Sequence, residues 1–220
     1  MNIAILLYDR VTALDAIGPY EVLSRLPGGE LQFVAAEPGP VRTDNGMLAL
    51  VAERSIEDVT SPDVVLVPGG PGEVAARAGD AVLGWLRAVH ERTTWTTSVC
   101  TGSLILAAAG VLAGKRATSH WLALEELGRL GAVPVSERVV FDGKVVTAAG
   151  VSAGIDMALA LAAKLAGDAT AQAIQLGLEY DPQPPFDAGS PGKAPIAIVE
   201  LLRARSRFAH SPKSTAGTAA

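Results

Sequence analysis

A chain of 220 residues, 49% of them hydrophobic, can bury one large core and fits a single domain. Only 19% of the residues are charged and the formal net charge is -5, which leaves no electrostatic footprint for nucleic acid. The single cysteine excludes a disulfide framework and a thiolate metal site, and it suits a reducing cytoplasm. The opening "MNIAILLYDR" has no basic n-region and meets Asp9 and Arg10 too soon for a signal peptide. No apolar run approaches the ~18 residues of a membrane span. A soluble cytoplasmic protein is expected, with neither membrane nor nucleic acid as a partner.

In chain order, "NIAILLYD" is a short apolar run suited to a strand covered on both faces. "ALDAIGPYEVLSRLP" has helical spacing and stops at Pro27 and Gly28. "LQFVAAEPG" is a second strand, and "VRTDNGMLALVAERS" carries Asn45-Gly46 between strand-like arms, a hairpin signal. "DVVLVPGGPGE" is a buried strand entering a glycine-rich turn, and "AVLGWLRAVHER" is the helix that follows. "TWTTSVC" is the next strand and "GSLILAAAGVLAG" the next helix. "ATSHWLALEELGRLG" reads as one helix beginning near a Ser or Thr cap.

"VPVSERVVFDGKVVTAAG" gives a second hairpin around Asp142-Gly143. The helices "SAGIDMALALAAKLAG" and "ATAQAIQLGLEY" follow, then the turn-rich "DPQPPFDAGSPGKAP" and a last helix, "IAIVELLRARSRF". Strands alternating with helices predict a single-domain α/β sandwich over residues 1–208. Its sheet is mostly parallel, with helices on both faces and hairpins added. Residues 209–220 are small and polar and read as a disordered tail.

In such a sheet, ligands bind beyond the carboxyl ends of the strands. Cys100 ends one strand, the glycines after Pro68 end another, and Asp15 follows the first. Cys100 admits two readings: a small core hydrophobe, or a nucleophile at a strand-to-helix turn. At such a turn the helix-start amides would hold the thiol below its usual pKa of about 8.5 and make it reactive. Asp15 is either a carboxylate for that thiol or an ordinary helix-start cap, and Glu21 is the rival carboxylate. The "PGGPG" glycines either shape a site or only turn the chain, and they lack the lysine of a phosphate loop. His120 can pair with the thiol, or cap its helix beside Trp121. His90 and His210 read as surface positions, and the three histidines do not form a metal site. Trp121, Tyr20 and Phe186 are candidates for an apolar pocket lining.

"SVCTGSLILAAAGVLAGKRATSHW", with "LDAIGPYEVL" and "VPGGPG", resembles the ThiJ/PfpI superfamily, which shares its flavodoxin-like fold with class I glutamine amidotransferases. Within it the chain is most similar to the isonitrile (isocyanide) hydratases. The likeness extends through "EPGPV", "AAGVSAGIDMALALAA" and "LEYDPQPPFDAGSP". It implies that Cys100 is a nucleophile in a strained elbow and that Asp15 manages its proton. It further implies that Thr101 hydrogen-bonds Asp15 and that Gly70 gives a second N–H to the intermediate. Gly69, His120 and Val151 would lie around the substrate. The implied protein is a homodimer that needs no cofactor or metal and acts on a small molecule. Thr101 stands where the proteases and deglycases of the superfamily commonly have histidine, which favours the hydratases. The remaining alternatives are a glyoxalase or deglycase acting on α-oxoaldehydes, and a cysteine-based sensor without turnover.

Overall fold

A computed structural model describes residues 1–210. Of the expected tail 209–220, Ala209 and His210 instead belong to a 3-10 turn, Arg207–His210; residues 211–220 and the side chain of His210 lie outside the described residues. The first strand, β1 (Asn2–Leu6), is buried from Ile3 onward and leads into α1 (Ala13–Leu23) and β2 (Glu30–Ala35). A hairpin of β3 (Gly39–Arg42) and β4 (Ala49–Ala52) precedes β5 (Arg54–Ser55). Then come β6 (Val64–Val67), the short α2 (Glu73–Ala76), α3 (Asp80–Arg92), β7 (Trp95–Val99) and α4 (Gly102–Ala108). A small pair, β8 (Arg116–Ala117) and β9 (Val133–Pro134), flanks α5 (Leu124–Arg129). The hairpin β10 (Val139–Asp142) and β11 (Val145–Ala148) is followed by α6 (Ala153–Ala166) and α7 (Asp168–Gly177).

Chain contacts divide the molecule into a unit ending at Asp181 and a second beginning at Pro182. The second unit contains the turn-rich stretch, α8 (Ile196–Arg205) and a closing 3-10 turn, Arg207–His210. Within the first unit the main sheet has seven strands in the order β10-β11-β7-β6-β1-β2-β5. All of its pairs are parallel except β10 with β11. This is the expected α/β sandwich.

The strand sequences explain their place. Val64–Val67 and Val145–Ala148 are buried at every residue, as strands covered on both faces must be. Right-handed crossovers from β1 to β2 and from β6 to β7 run in opposite directions, so their helices fall on opposite faces. One group packs α1 against α6 and α6 against α7; the other joins α2, α3 and α5 to α4. The reversal between β1 and β6 opens a crevice at the carboxyl ends of the strands. Four adjacent parallel strands, β11, β7, β6 and β1, end there.

Three local expectations change. The Asn45-Gly46 hairpin forms, but residues 43–48 link its arms instead of two residues alone. The longer link arises because Asp44 N–H donates to Val11 C=O at 2.9 Å and ties the hairpin to the loop after β1. The helix after Cys100 ends at Ala108, where Gly110 takes a positive φ of 82°. The segment read as a helix from Ala117 stays extended through Ser119, then forms a 3-10 turn (Trp121–Ala123) before α5. Thr118 N–H donates to Thr147 Oγ1 at 2.9 Å and Ser119 Oγ to Cys100 C=O at 3.0 Å, so both residues are drawn onto the sheet end.

Helix α4 starts almost in contact with β6. A Cβ on Gly102 would stand 2.0 Å from Val67 O. Gly102→Ala is expected to cost about 3 kcal/mol in urea unfolding, from forced backbone displacement. Gly84→Ala, in α3 with open space at the added atom, should instead stabilise by about 0.5–1 kcal/mol.

Candidate active site

Cys100 sits between β7 and α4 with φ at 57°, a left-handed backbone that a side chain rarely adopts. Its surroundings hold it there. Its N–H donates to Ala148 C=O at 3.1 Å and to Ala149 C=O at 2.9 Å, both at the end of β11. Its carbonyl accepts hydroxyl hydrogen bonds from Ser103 at 3.1 Å and Ser119 at 3.0 Å. The residue is 6% exposed and belongs to the main apolar cluster. Cys100 is therefore buried among core residues and also occupies a strained strand-to-helix turn over a helix start.

Asp15 is fully buried on the first turn of α1. It does not cap its own helix. Oδ2 accepts the Gly69 N–H at 2.9 Å, across the crevice from the end of β6. Oδ1 has no partner at ordinary hydrogen-bond geometry, and the carboxyl interacts with the Cys100 thiol. The cap position, Thr12, gives no side-chain cap; its hydroxyl donates instead to Asp44 Oδ2 at 2.8 Å. The close fit needs Gly69, since a Cβ there would meet Thr101 N at 2.5 Å and Asp15 Oδ2 at 2.8 Å.

Burial pushes the Asp15 carboxyl up to about 7; the Gly69 N–H and the thiol oppose this, and the negative Asp44 adds to it. Burial and the neighbouring Asp15 charge push the Cys100 thiol up to about 12. Backbone N–H groups of Val151 and Thr101 aim at the sulfur and favour thiolate, but they are outweighed. The lowered thiol pKa expected from the helix starts is thus reversed. Helix-end amides act on a sulfur that has already lost its water and faces a carboxylate. Once Asp15 has ionised, above about pH 7, the pair holds its remaining proton on sulfur.

The other candidate positions divide. Gly69, Thr101 and Val151 converge on the pair. Thr101 reaches the sulfur through its backbone, but its hydroxyl does not take the expected place on Asp15. That hydroxyl accepts the Gly70 N–H at 3.0 Å. The same bond corrects the expectation for Gly70, whose amide is engaged by Thr101 and not aimed at an intermediate. His120 caps its own turn, with Nδ1 accepting the Leu122 N–H at 3.3 Å, and its ring lies 5.9 Å from that of Trp121. Tyr20 stacks on Phe33 at 5.4 Å between centroids, and Phe186 lies exposed in the second unit. Glu21 pairs with Arg25 on the exposed face of α1.

His90 is not a plain surface residue. It is half-buried at the end of α3, bonded to Thr96 Oγ1 at 2.8 Å, with its pKa lowered by burial and Lys144. Among the described residues no three His, Cys, Asp or Glu side chains cluster as metal ligands. Ser103, Ser119 and Asp44 are the contributors that sequence reasoning missed. Ser119 lies nineteen positions after the cysteine whose carbonyl it holds, and nothing local marks it.

The pattern of the DJ-1/PfpI family matches residues 1–164. The chain belongs to the DJ-1/PfpI family. This member is 46% identical over 206 residues to the isonitrile hydratase of Pseudomonas putida, covering 94% of this chain and 90% of that one. A crystal structure of a ThiJ/PfpI family protein from Pseudomonas syringae superposes with a TM-score of 0.89 at 39% identity, covering 94% of this chain and 88% of that one. Drosophila melanogaster DJ-1beta shares the fold, with a TM-score of 0.74 at 24% identity over 82% of this chain and 98% of that one. No helix among the described residues is long and apolar enough to cross a membrane.

Two measurements on Asp15→Asn follow from the paired burial. Removing the charge that opposes thiolate should speed iodoacetamide alkylation of Cys100 by about tenfold, equivalent to roughly one pKa unit. Unfolded aspartate releases its proton near 3.8 whereas folded Asp15 keeps it to about 7. Its stabilising contribution is therefore full below the unfolded value and lost as pH rises through the folded one. Asp15→Asn should be more stable than wild type above pH 7, by about 4 kcal/mol, and the gain should vanish near pH 4. Equal urea midpoints for the two proteins at both pH values would refute this.

Proposed function

We propose that this DJ-1/PfpI protein hydrates isonitriles to N-substituted formamides, with Cys100 as nucleophile and Asp15 as its proton carrier. The observation that carries the reading is the buried carboxyl of Asp15 beside the only thiol, committed to Gly69 and the cysteine and not to its own helix. The similarity to an isonitrile hydratase over nearly the whole chain supports the substrate class.

The sulfur attacks the terminal isonitrile carbon as Asp15 takes the thiol proton and returns it to that carbon. One S–C bond and one C–H bond form, giving a neutral thioimidate, R–N=CH–S–Cys100. Asp15 then removes a proton from a water that attacks the same carbon. The C–S bond breaks as nitrogen gains a proton, releasing R–NH–CHO and restoring the thiol. The sum is one isonitrile plus one water, with no oxidant or reductant consumed. The Val151 and Thr101 amides stabilise charge on sulfur when the proton leaves it.

This assignment makes the protein a lyase that requires no cofactor. A single thiol suits a reducing compartment, and we place the reaction in the cytoplasm. We further propose a homodimer, as the ThiJ/PfpI resemblance implies. Light scattering that gives a monomer at micromolar concentration would overturn this.

The function is tested with aryl and alkyl isonitriles, with methylglyoxal as the rival substrate. Isonitrile turnover is expected, lost in Cys100→Ser and reduced at least ~100-fold in Asp15→Asn. Glu21→Gln should be silent. Because the attacking thiol needs an ionised Asp15, kcat/KM should rise through about pH 7 and then level off. Turnover of methylglyoxal alone would move the protein to the α-oxoaldehyde enzymes, and turnover of neither would favour a sensor.

A further inference from the structure

The loop between β11 and α6 touches Cys100 twice. Its Ala148 and Ala149 carbonyls accept the Cys100 N–H, and the Val151 N–H aims at the sulfur. The same loop is gripped from its outer side. Ala149 N–H donates to Arg138 C=O at 2.9 Å, just before β10. The Arg138 guanidinium reaches Ser152 Oγ at 3.4 Å and pairs through Nε with Asp156 on α6. Tyr180 O–H donates to the other oxygen of Asp156 at 2.7 Å. Tyr180 is itself fixed to α7, its N–H donating to Gln175 C=O at 3.1 Å and its C=O accepting Gln175 Nε2 at 3.2 Å.

We propose that Arg138, Asp156 and Tyr180 form a positioning network that sets the Val151 N–H over the Cys100 sulfur and so sets the reactivity of the thiol. They act through the loop, while Asp15 on α1, with Asp44 behind it, is the charged group that acts on the thiol directly. Arg138 is half-exposed, so its ion pair contributes little to global stability. Its effect is local. The inference rests on Cys100 being the nucleophile for its functional weight, but its test reads the thiol itself, so failure of isonitrile turnover leaves it standing.

Three explanations predict different signs. Under simple electrostatics, Arg138→Gln would slow iodoacetamide alkylation of Cys100 by removing a positive charge, and Asp156→Asn would speed it. A loosened fold would expose the buried thiol and speed alkylation in every variant. Positioning predicts slower alkylation in Arg138→Gln, Asp156→Asn and the charge-neutral Tyr180→Phe alike, by roughly threefold or more as one hydrogen bond to sulfur is misplaced. The rates are followed by intact mass from neutral to alkaline pH on the full chain, with thermal melting measured in parallel. The expected result is three slowed variants, partial recovery in Arg138→Lys, and little change in melting temperature. Opposite signs for the Arg138 and Asp156 variants, faster alkylation throughout, or profiles superimposable on wild type would each overturn the proposal.

Discussion

A carboxyl group and a thiol buried side by side compete for too little solvation. Burial raises the cost of ionising both Asp15 and Cys100, and each anion raises the cost of the other. The pair therefore gains its one negative charge as pH rises through about 7 and keeps its last proton into strongly basic conditions. That proton can move between sulfur and carboxylate without leaving the site. In the proposed reaction the nucleophile is not a free thiolate waiting for a substrate; it would form as its proton is transferred, coupling attack to protonation of the electrophile.

Such a pair must be held by something stiffer than itself, and the sheet supplies it. Asp15, Gly69, Cys100 and Val151 follow four adjacent parallel strands, so the strand register sets their spacing. The strained backbone at Cys100 is fastened at its N–H by β11 and at its carbonyl by two serines. Those bonds offset a left-handed conformation of order 1–3 kcal/mol. Both the buried acid and the strained turn lower stability, and both lie where the chemistry is proposed.

The pattern of strands and helices was legible because it rests on periodicity, which burial enforces residue by residue. The convergence of Asp15, the Pro68 glycines and Cys100 was legible from topology, since parallel strands bring their carboxyl ends together. Local hydrogen bonding was not. The segment from Ala117 reads as a helix with a Ser or Thr cap because Ser and Thr favour caps; a tertiary bond to Cys100 C=O takes the Ser119 hydroxyl instead. Asp15 reads as a helix-start cap for the same reason, and its side chain turns away to Gly69. The thiol pKa departs from the sequence expectation because helix-start dipoles can be inferred from sequence, whereas burial of the sulfur cannot.

The engaged amides bear on which electrophile suits the site. Addition to a carbonyl places negative charge on oxygen, which needs N–H donors aimed at it. Here Gly69 N–H is committed to Asp15, Gly70 N–H to Thr101, and the Val151 and Thr101 amides to sulfur. Addition to an isonitrile makes a different demand. The developing charge lies on the carbon under attack and is quenched by a proton, not by a cradle of amides. A thiol whose proton is held by an adjacent carboxylate meets that demand within one pair of residues. The arrangement supports the proposed isonitrile reading, in which the electrophile is protonated at the atom attacked, over a reading that needs an oxyanion cradled by free amides.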